Sequence, residues 1–323
     1  MTSNGPHLGL AMPFMGDAMP QWHDLKNEIK NAEQVGFSEC LIPDRPTYHL
    51  PTADALTATA VAATCTDTIN IISVCIVGYR NPVLLAKAMS TINGISDGRL
   101  VLAAALGGDF PHEYNAFGIK EKGELVPRLE DGIAICRRLW SGEAIDHQGT
   151  FLSITNLQEL PSMTQPLPIW LAHRGHVGPS TDRTARIADG WLASWVSPRR
   201  LRVSSEEIRT RAQDYGRNAS SIKIAAMVRV YLAANVKDAS EKMAARRTAL
   251  YGHPYEPDRV QHLQVGGPPD YCLQRLEEFC DAGAEYLIIQ LECDAAERRA
   301  QMAWLLEDVI RPGTKAHKAE LRL

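Results

Sequence analysis

Short apolar runs alternate with helical patterns along most of this chain, and that alternation predicts its fold. The clearest unit is Ile69–Gly107, which contains an apolar strand, an amphipathic helix opening at Pro82, and a second apolar strand that ends at Gly107-Gly108. Strands of a parallel sheet are buried on both faces, so their sequences are continuous apolar runs. Strand–helix–strand with short connections is therefore typical of a parallel sheet.

Eight strands are predicted in this way, each with a helical segment behind it. Eight alternating pairs favour an α/β architecture, the closed (β/α)8 TIM barrel, over an open sheet. We expect one domain over residues 1–323, with insertions at about 143–165 and 237–264. Within the second insertion, Tyr251–Gln264 has no clear period and is predicted to be a loop or lid over the barrel mouth. The predicted strands are Leu8–Pro13, Phe37–Pro43, Asn70–Val77, Leu100–Leu106, Leu167–Ala172, Gly190–Val196, Ile222–Ala234 and Glu285–Leu291.

Composition narrows the class of protein without identifying its chemistry. The chain has 323 residues, 45% of them hydrophobic and 22% charged, with a net charge of −4. Those values are ordinary for a globular protein and give no electrostatic argument for nucleic acid or anionic membrane as a partner. Seven dispersed cysteines, an odd number, favour buried free thiols. Without a secretory pattern or a long apolar run, a cytoplasmic protein is expected.

Active sites of such barrels lie at the carboxyl ends of the strands, and this rule selects candidate residues. The candidates that follow strands one to three include aromatic and charged side chains. A glycine pair follows strand four, and further polar groups follow strands five, six and eight. They are Phe14, Met15, Asp44, Arg45, Ser73–Tyr79, Gly107–Asp109, His173–Gly178, Ser194, Trp195 and Gln290–Glu292.

The segment His173–Ser180 (HRGHVGPS) is the strongest candidate for binding a phosphate. Its two glycines allow the backbone to approach a ligand closely, and the helix that follows offers unpaired amides and the positive end of its dipole. Arg174 adds a forked charge that suits phosphate. His173 and His176 lie near His112, but no metal motif is apparent, so no metal is expected.

The order of several motifs resembles the luciferase-like monooxygenase family over nearly the whole chain. The matching segments lie on each of the first four strand–helix units and again near the phosphate candidate and the last helices. They are Ala32–Phe37, Pro43-Asp44-Arg45, Asn81-Pro82, Asp97-Gly98-Arg99, Glu113 with Ala116-Phe117-Gly118, Ala188–Trp191, and Val265–Pro269.

That resemblance implies a flavin or deazaflavin at the barrel mouth, with its phosphate on residues Arg174, Gly175, His176, Val177 and Gly178. In the family, strand three carries a bulge with a non-proline cis peptide that supports the flavin ring. The corresponding bond here is Ser73-Val74 or Val74-Cys75. Gly107, Gly108 and Trp195 complete the expected cofactor contacts. Phe14, Asp44, Arg45 and Tyr79 are expected to face the substrate at the mouth.

Two departures from the family pattern affect the expected chemistry. Ala103 and Ala105 stand where relatives often have glycine, so close approach of a ligand is limited to Gly107-Gly108. Asp44-Arg45 replaces the histidine that several relatives carry after strand two. Arg45 stays protonated and cannot act as a base.

If a base is needed, His173, His112, Asp109 or His49 must supply it; the alternative is that no residue does. We take His173 first, because it ends the strongest apolar strand; the alternative is that it only orients the phosphate turn.

The leading functional hypothesis is a monooxygenase that uses reduced FMN and O2 to oxygenate a small organic substrate, with a separate flavin reductase as a partner. The alternative is hydride transfer with coenzyme F420, whose polyglutamate tail needs a basic rim; Arg199, Arg200 and Arg259 could provide it. An inactive flavin-binding barrel is a third hypothesis. The small and apolar residues of Pro51–Thr64 and Pro82–Ile95 favour a homodimer through those helices.

Overall fold

Most strands are followed by a helix in a computed structural model that describes residues 6–13, 24–48, 50–108, 110–149, 151–157 and 167–311. The strands are β1 (His7–Ala11), β2 (Glu39–Ile42), β3 (Asn70–Ile76), β4 (Leu100–Ala105), β5 (Ile145–Gln148), β6 (Ser153–Leu157), β7 (Ile169–His173), β8 (Gly190–Ser194), β9 (Lys223–Leu232), β10 (Val265–Gly267) and β11 (Tyr286–Leu291). The helices are α1 (Leu25–Gln34), α2 (Ala55–Cys65), α3 (Pro82–Ile95), α4 (Pro111–Asn115), α5 (Leu125–Trp140), α6 (Pro179–Ile187), α7 (Pro198–Asp214), α8 (Val236–Tyr251), α9 (Pro257–Leu263), α10 (Pro269–Asp281) and α11 (Ala295–Trp304), the last continuing as a π-helix to Ile310.

Eight parallel strands close into a barrel, which confirms the predicted fold class. Their order is β1-β2-β3-β4-β7-β8-β9-β11, and β11 pairs with β1 to close the ring. β10 adds three residues beside the end of β9, and β5 pairs with β6 in a separate antiparallel hairpin. That hairpin lies in the first predicted insertion.

Local sequence signals explain where the helices begin. Asn81 caps α3 by accepting hydrogen bonds from the amides of Val83 and Leu84, and Pro82 occupies the first helical position, where its missing N–H costs nothing. Asp54 caps α2 and Asp294 caps α11 in the same way. These caps place each helix directly behind the strand that precedes it.

Alternation along the strands divides the buried side chains into two sets. One set fills the barrel interior with a residue from each strand, and the other packs between the barrel and its helices. Trp170 and Tyr286 meet edge to face at 5.0 Å inside the barrel. The interior set is Ala11, Leu41, Ile72, Ala103, Trp170, Leu192, Ala225 and Ile288. Because side chains fill the interior, ligands can bind only at its open carboxyl end.

One prediction about this architecture is wrong. Tyr251–Gln264 contains a regular helix, α9, which begins with Pro257 and carries Asp258 in its first turn. Both residues are favourable at a helix start, and the helix is too short to show a period. No helix within the described ranges is long and apolar enough to cross a membrane.

Candidate functional site

The turn between β7 and α6, residues 174–178, lies at the carboxyl end of the barrel, where the sequence predicted a phosphate site. Gly175 has φ +60° and Gly178 has φ +119°. A Cβ on Gly175 would lie 2.5 Å from the ring of Trp191, so only glycine fits there. The carbonyl of Gly175 accepts from Ser204 Oγ at 2.7 Å, and the amide of Gly178 donates to Thr181 Oγ1 at 2.9 Å. Side chains on α6 and α7 therefore fix this backbone.

An open cleft of about 830 Å³ borders the turn on its outer side. The described residues that line it include four arginines, Arg174, Arg199, Arg200 and Arg259. Among these lining residues, Glu256 is the one carboxylate. We call these four arginines and their surroundings the arginine cleft. Its remaining walls include His176, Val177, Trp195, Ser197, Val203, Ser204, His253, Tyr255, His262 and Leu263.

The arginines of the cleft are available to a ligand. All four side chains are exposed. Arg200 lies 3.4 Å from the Gly175 carbonyl and from His176 Nδ1. Among the residues that the structure describes, no ion pair or hydrogen bond is made by the side chains of Arg174, Arg199 and Arg259. Four cations with one nearby carboxylate give this surface a positive charge that favours a bound anion.

His173 does not face the mouth. Its Nε2 lies 2.8 Å from Thr184 Oγ1 on α6, its Nδ1 accepts from the Gly175 amide at 3.1 Å, and its ring stacks on Trp191 at 5.2 Å. Burial, with the nearby charges of Arg183 and His176, lowers the pKa of His173 to about 3. The histidine is therefore neutral at physiological pH, and its position matches the alternative in which it orients the β7–α6 turn. His112, by contrast, is exposed on α4 and stacks on Phe110 at 5.6 Å.

The Gly107-Gly108 turn is explained by packing within the protein. Both residues have positive φ, and a Cβ on Gly107 would lie 2.7 Å from Ile76 and 2.9 Å from the Tyr79 hydroxyl. The amide of Gly108 donates to that hydroxyl at 2.9 Å. The space that these glycines leave is filled by side chains of the protein, and Tyr79 is buried beneath the turn rather than exposed at the mouth.

The β3 prediction is wrong in its geometry. No cis peptide occurs in the described ranges, and β3 keeps a regular register with β4 through Ile76. Ser73 and Cys75 are fully buried on the helix side, where Ser73 Oγ lies 2.8 Å from Thr59 Oγ1 on α2. Val74 alone of the three packs toward the barrel interior. An unbroken strand alternates strictly, so neighbouring residues cannot share the interior face.

Asp44 and Arg45 enter two different ion pairs. Asp44 is buried, accepts from the Ile76 amide at 2.8 Å, and binds both terminal nitrogens of Arg80 at 2.7 and 3.0 Å. Burial raises the pKa of Asp44 despite the adjacent guanidinium. Arg45 lies 3.2 Å from the buried Glu113 and over the rings of Tyr48, Phe110 and Tyr251. Asp44 therefore joins the ends of β2 and β3, whereas Arg45 belongs to an aromatic wall of the mouth.

The structure also reveals a group of arginines at the mouth that the sequence did not predict. Their shared partner, Glu292, was among the predicted candidates. Arg229 on β9 and Arg246 and Arg247 on α8 surround the carboxylate of Glu292 at 3.3, 3.7 and 3.6 Å. We call these four residues the inner arginine cluster. The signal for it was a charged residue inside the apolar strand AAMVRVYL. Trp195 lies over Arg229 and Arg247 and stacks on Tyr255 at 5.6 Å.

Phe14, Met15, His49 and Asp109 lie outside the described residues, so their predicted places at the mouth stay predictions. The structure brings together Arg174, Gly175, His176, Val177, Gly178 and Trp195, all around the arginine cleft. Ser73, Cys75, Gly107, Gly108 and Tyr79 lie apart from it, within the packed wall of the barrel.

Residues 6–310 match the luciferase-like monooxygenase family, and the chain belongs to it. The phthiodiolone/phenolphthiodiolone dimycocerosates ketoreductase of Mycobacterium tuberculosis is 32% identical over 182 residues, which cover 54% of this chain and 46% of that protein. The sulfoquinovose monooxygenase of Agrobacterium fabrum is 30% identical over 136 residues, covering 42% and 32% respectively. The chain thus matches less than half the length of either relative.

Solved structures agree on the fold. An F420-dependent secondary alcohol dehydrogenase superposes with a TM-score of 0.78 at 15% identity, covering 96% of this chain and 99% of that one. A long-chain alkane monooxygenase gives 0.78 at 17% identity, covering 100% and 93%. Proteins of both kinds share this barrel fold. The family to which the chain belongs supports an oxidoreductase.

The residues present fit the phosphate of the flavin or deazaflavin that the sequence resemblance implies. A Cβ on Gly178 would meet no atom within 4 Å, so the backbone of the β7–α6 turn is open to a ligand on that side. Arg174 stands beside it without a partner in the described chain, which suits a phosphate. The other arginines of the cleft continue the positive surface away from the turn.

Proposed function

We propose that this protein is an oxidoreductase that uses coenzyme F420 for hydride transfer to or from a small organic substrate. The arginine cleft is the observation that carries the proposal. FMN ends in one phosphate, for which the β7–α6 turn and Arg174 suffice. F420 continues beyond its phosphate into a tail of carboxylates, and Arg199, Arg200 and Arg259 provide positive charge there.

Each part of the site has a defined task in this proposal. The amides of the β7–α6 turn and Arg174 hold the phosphate, and His173 keeps that turn in place from behind. Trp195 and Tyr255 form an aromatic wall between the cleft and the interior of the mouth. When bound, the reduced deazaflavin supplies a hydride, and the protein positions the substrate and excludes water. The relative named as a ketoreductase would need the same kind of chemistry.

A monooxygenase using reduced FMN and O2, with a separate flavin reductase, is the second candidate. It is supported by the relative named as a monooxygenase and by the turn itself, which fits either phosphate. The substrate in both cases is a small organic molecule. A homodimer through α2 and α3 remains part of the proposal.

Turnover distinguishes the two candidates. Reduced F420 is mixed with the protein under anaerobic conditions together with a panel of ketones and aldehydes, and oxidation of the coenzyme is followed by its absorbance. In parallel, reduced FMN and O2 are supplied with the same compounds. We expect carbonyl-dependent oxidation of F420 that needs no oxygen. Product oxygenation with FMN, and no turnover with F420, would support the second candidate; no turnover with either would support an inactive barrel.

A further inference from the structure

The inner arginine cluster places more positive than negative charge in a buried part of the mouth. Arg229, Arg247 and Glu292 have 7%, 1% and 2% of their side-chain surface exposed. Glu292 is the carboxylate that all three arginines of the cluster approach. Among the described residues, Arg229 and Arg247 are therefore two buried guanidinium groups that face one buried carboxylate.

Strand geometry explains why these groups meet at the open end. Ala225 and Met227 face the barrel interior, and Arg229, two residues further along β9, lies on the same face nearer the carboxyl end. On β11, Ile288 faces the interior and Glu292 follows four residues later, just past the strand. Arg247 reaches the same place from α8. The cluster thus forms the base of the mouth, directly above the filled interior.

Several donors of the cluster lack an acceptor. Nη1 of Arg229, and Nε and Nη2 of Arg247, are buried and have no hydrogen-bond partner in the part of the chain that the structure describes, whereas Nε of Arg229 lies 3.3 Å from Glu292 Oε2. Burying a donor without an acceptor is unfavourable, and burying a charge more so. Three such atoms on two neighbouring guanidinium groups form an arrangement that a bound oxoanion would satisfy.

The balance of charge agrees with this geometry. Burial and the adjacent charge of Arg247 lower the pKa of Arg229 to about 10, although Glu292 opposes them. For Arg247, burial also lowers the pKa, but Glu292, Tyr251 and Tyr255 raise it by more. The positive charge of Arg229 is therefore less well compensated by the protein than that of Arg247.

Aromatic rings separate this cluster from the arginine cleft. Arg229 and Arg247 lie 4.8 and 4.7 Å from the ring centre of Trp195, and Arg247 lies 4.4 Å from that of Tyr251. Trp195 has φ +57°, an uncommon conformation for a bulky residue, which the surroundings must enforce. The ring held in this way forms a partition, with one cationic surface on each side.

We propose that the inner arginine cluster binds the oxoanion group of the substrate, so that the enzyme acts on organic acids bearing a carboxylate, sulfonate or phosphate. Arg229 and Arg247 hold the anion, and Glu292, which pairs with both guanidinium groups, competes with the anion for them. That the bound acid is the substrate rests on the proposed function; that an oxoanion binds here does not. The cofactor has its own anion site beyond Trp195.

The test is calorimetric titration of the cofactor-free protein at constant ionic strength with methanesulfonate, butanoate and methyl phosphate, and with butanamide as the neutral control. At least one oxoanion should bind and butanamide should not; the order among the three identifies the anion type. Replacing Arg229 by Gln should weaken binding by about tenfold or more, as expected for loss of a charge-assisted hydrogen bond. Glu292→Gln should tighten it, because the competing carboxylate is removed.

Other variants separate this site from the arginine cleft and from folding defects. The triple variant Arg174→Ala/Arg199→Gln/Arg259→Gln should keep the small-anion site, and so should the surface control Arg202→Gln. Arg229→Lys retains the charge and should recover part of the affinity. It therefore serves as the test of charge in case Arg229→Gln is merely unstable. The proposal is overturned if no oxoanion binds, if binding disappears only in the triple variant, or if Glu292→Gln weakens it. Failure of F420 binding alone would overturn the proposed function and leave this site intact.

Discussion

His173 allows a prediction whose size follows from its surroundings. Its pKa falls from an ordinary value of 6.5 to about 3 in the folded protein, because burial disfavours the imidazolium. The unfolded chain therefore binds one more proton than the folded protein between these values, and stability must fall as pH falls below 6.5. At pH 5 the unfolded histidine is one and a half pH units below its pKa. At 1.36 kcal/mol per unit, this corresponds to a loss of about 2 kcal/mol between pH 8 and pH 5.

Urea unfolding at pH 8, 7, 6 and 5 measures this loss, with His173→Gln as the matched variant. Glutamine can hydrogen-bond to Thr184 and to the Gly175 amide but does not titrate. The wild type should lose about 2 kcal/mol more than the variant over this range, and somewhat less if the partly accessible edge of the ring is solvated when charged. Equal pH dependence in both proteins would refute the buried, neutral histidine. A neutral His173 also predicts that the pH profile of turnover is the same in the variant.

Three further predictions concern packing and assembly. Gly175→Ala should lower thermal stability by more than Gly118→Ala does. Both variants place alanine at a positive φ, +60° or +70°, which costs about 1–2 kcal/mol. Of the two new Cβ atoms, only that at residue 175 meets Trp191. Asp44→Asn should cost about 3 kcal/mol in urea unfolding, because it leaves the largely buried Arg80 with only the exposed carboxylate of Asp54, 3.7 Å away; a cost below about 1 kcal/mol would show that the Asp44–Arg80 pair contributes little. Leu84, 70% exposed on α3, should lie in the proposed dimer interface, so Leu84→Glu should give the monomer mass of 35.6 kDa in light scattering, whereas a monomeric wild type would exclude the interface.

The barrel could be predicted because its strands are buried on both faces and its helices carry local start signals. The same property prevents prediction of where each strand residue points. In Ile169–His173 the residues facing the interior and those facing the helices are both apolar, so the sequence does not show that His173 turns toward α6. Ser73 and Cys75 were misplaced for the same reason. Regular alternation assigns a face only after one residue of the strand has been placed.

The β7–α6 turn could be proposed as a phosphate site from the sequence because glycines at 175 and 178, an arginine and a helix start are adjacent there. The arginine cleft could not be predicted in that way, because its arginines are far apart in the sequence. Arg174 lies in the β7–α6 turn, Arg199 on α7 and Arg259 on α9. The sequence offered Arg199, Arg200 and Arg259 only as possible rim residues. Their common position depends on the closure of β7, β8 and β9 around the barrel, which no local pattern encodes.

Titration of the protein with F420 and with FMN, monitored by coenzyme fluorescence at low and moderate salt, tests the central claim most directly. Arg174→Ala should weaken both, because both carry the phosphate. Arg199→Gln/Arg259→Gln should weaken F420 by roughly five- to thirtyfold, taking about 0.5–1 kcal/mol for each exposed charge, and should leave FMN unchanged. The control Arg202→Gln should affect neither. Tighter binding of FMN than of F420 by the wild type, with no effect of the double variant on either coenzyme, would contradict the account.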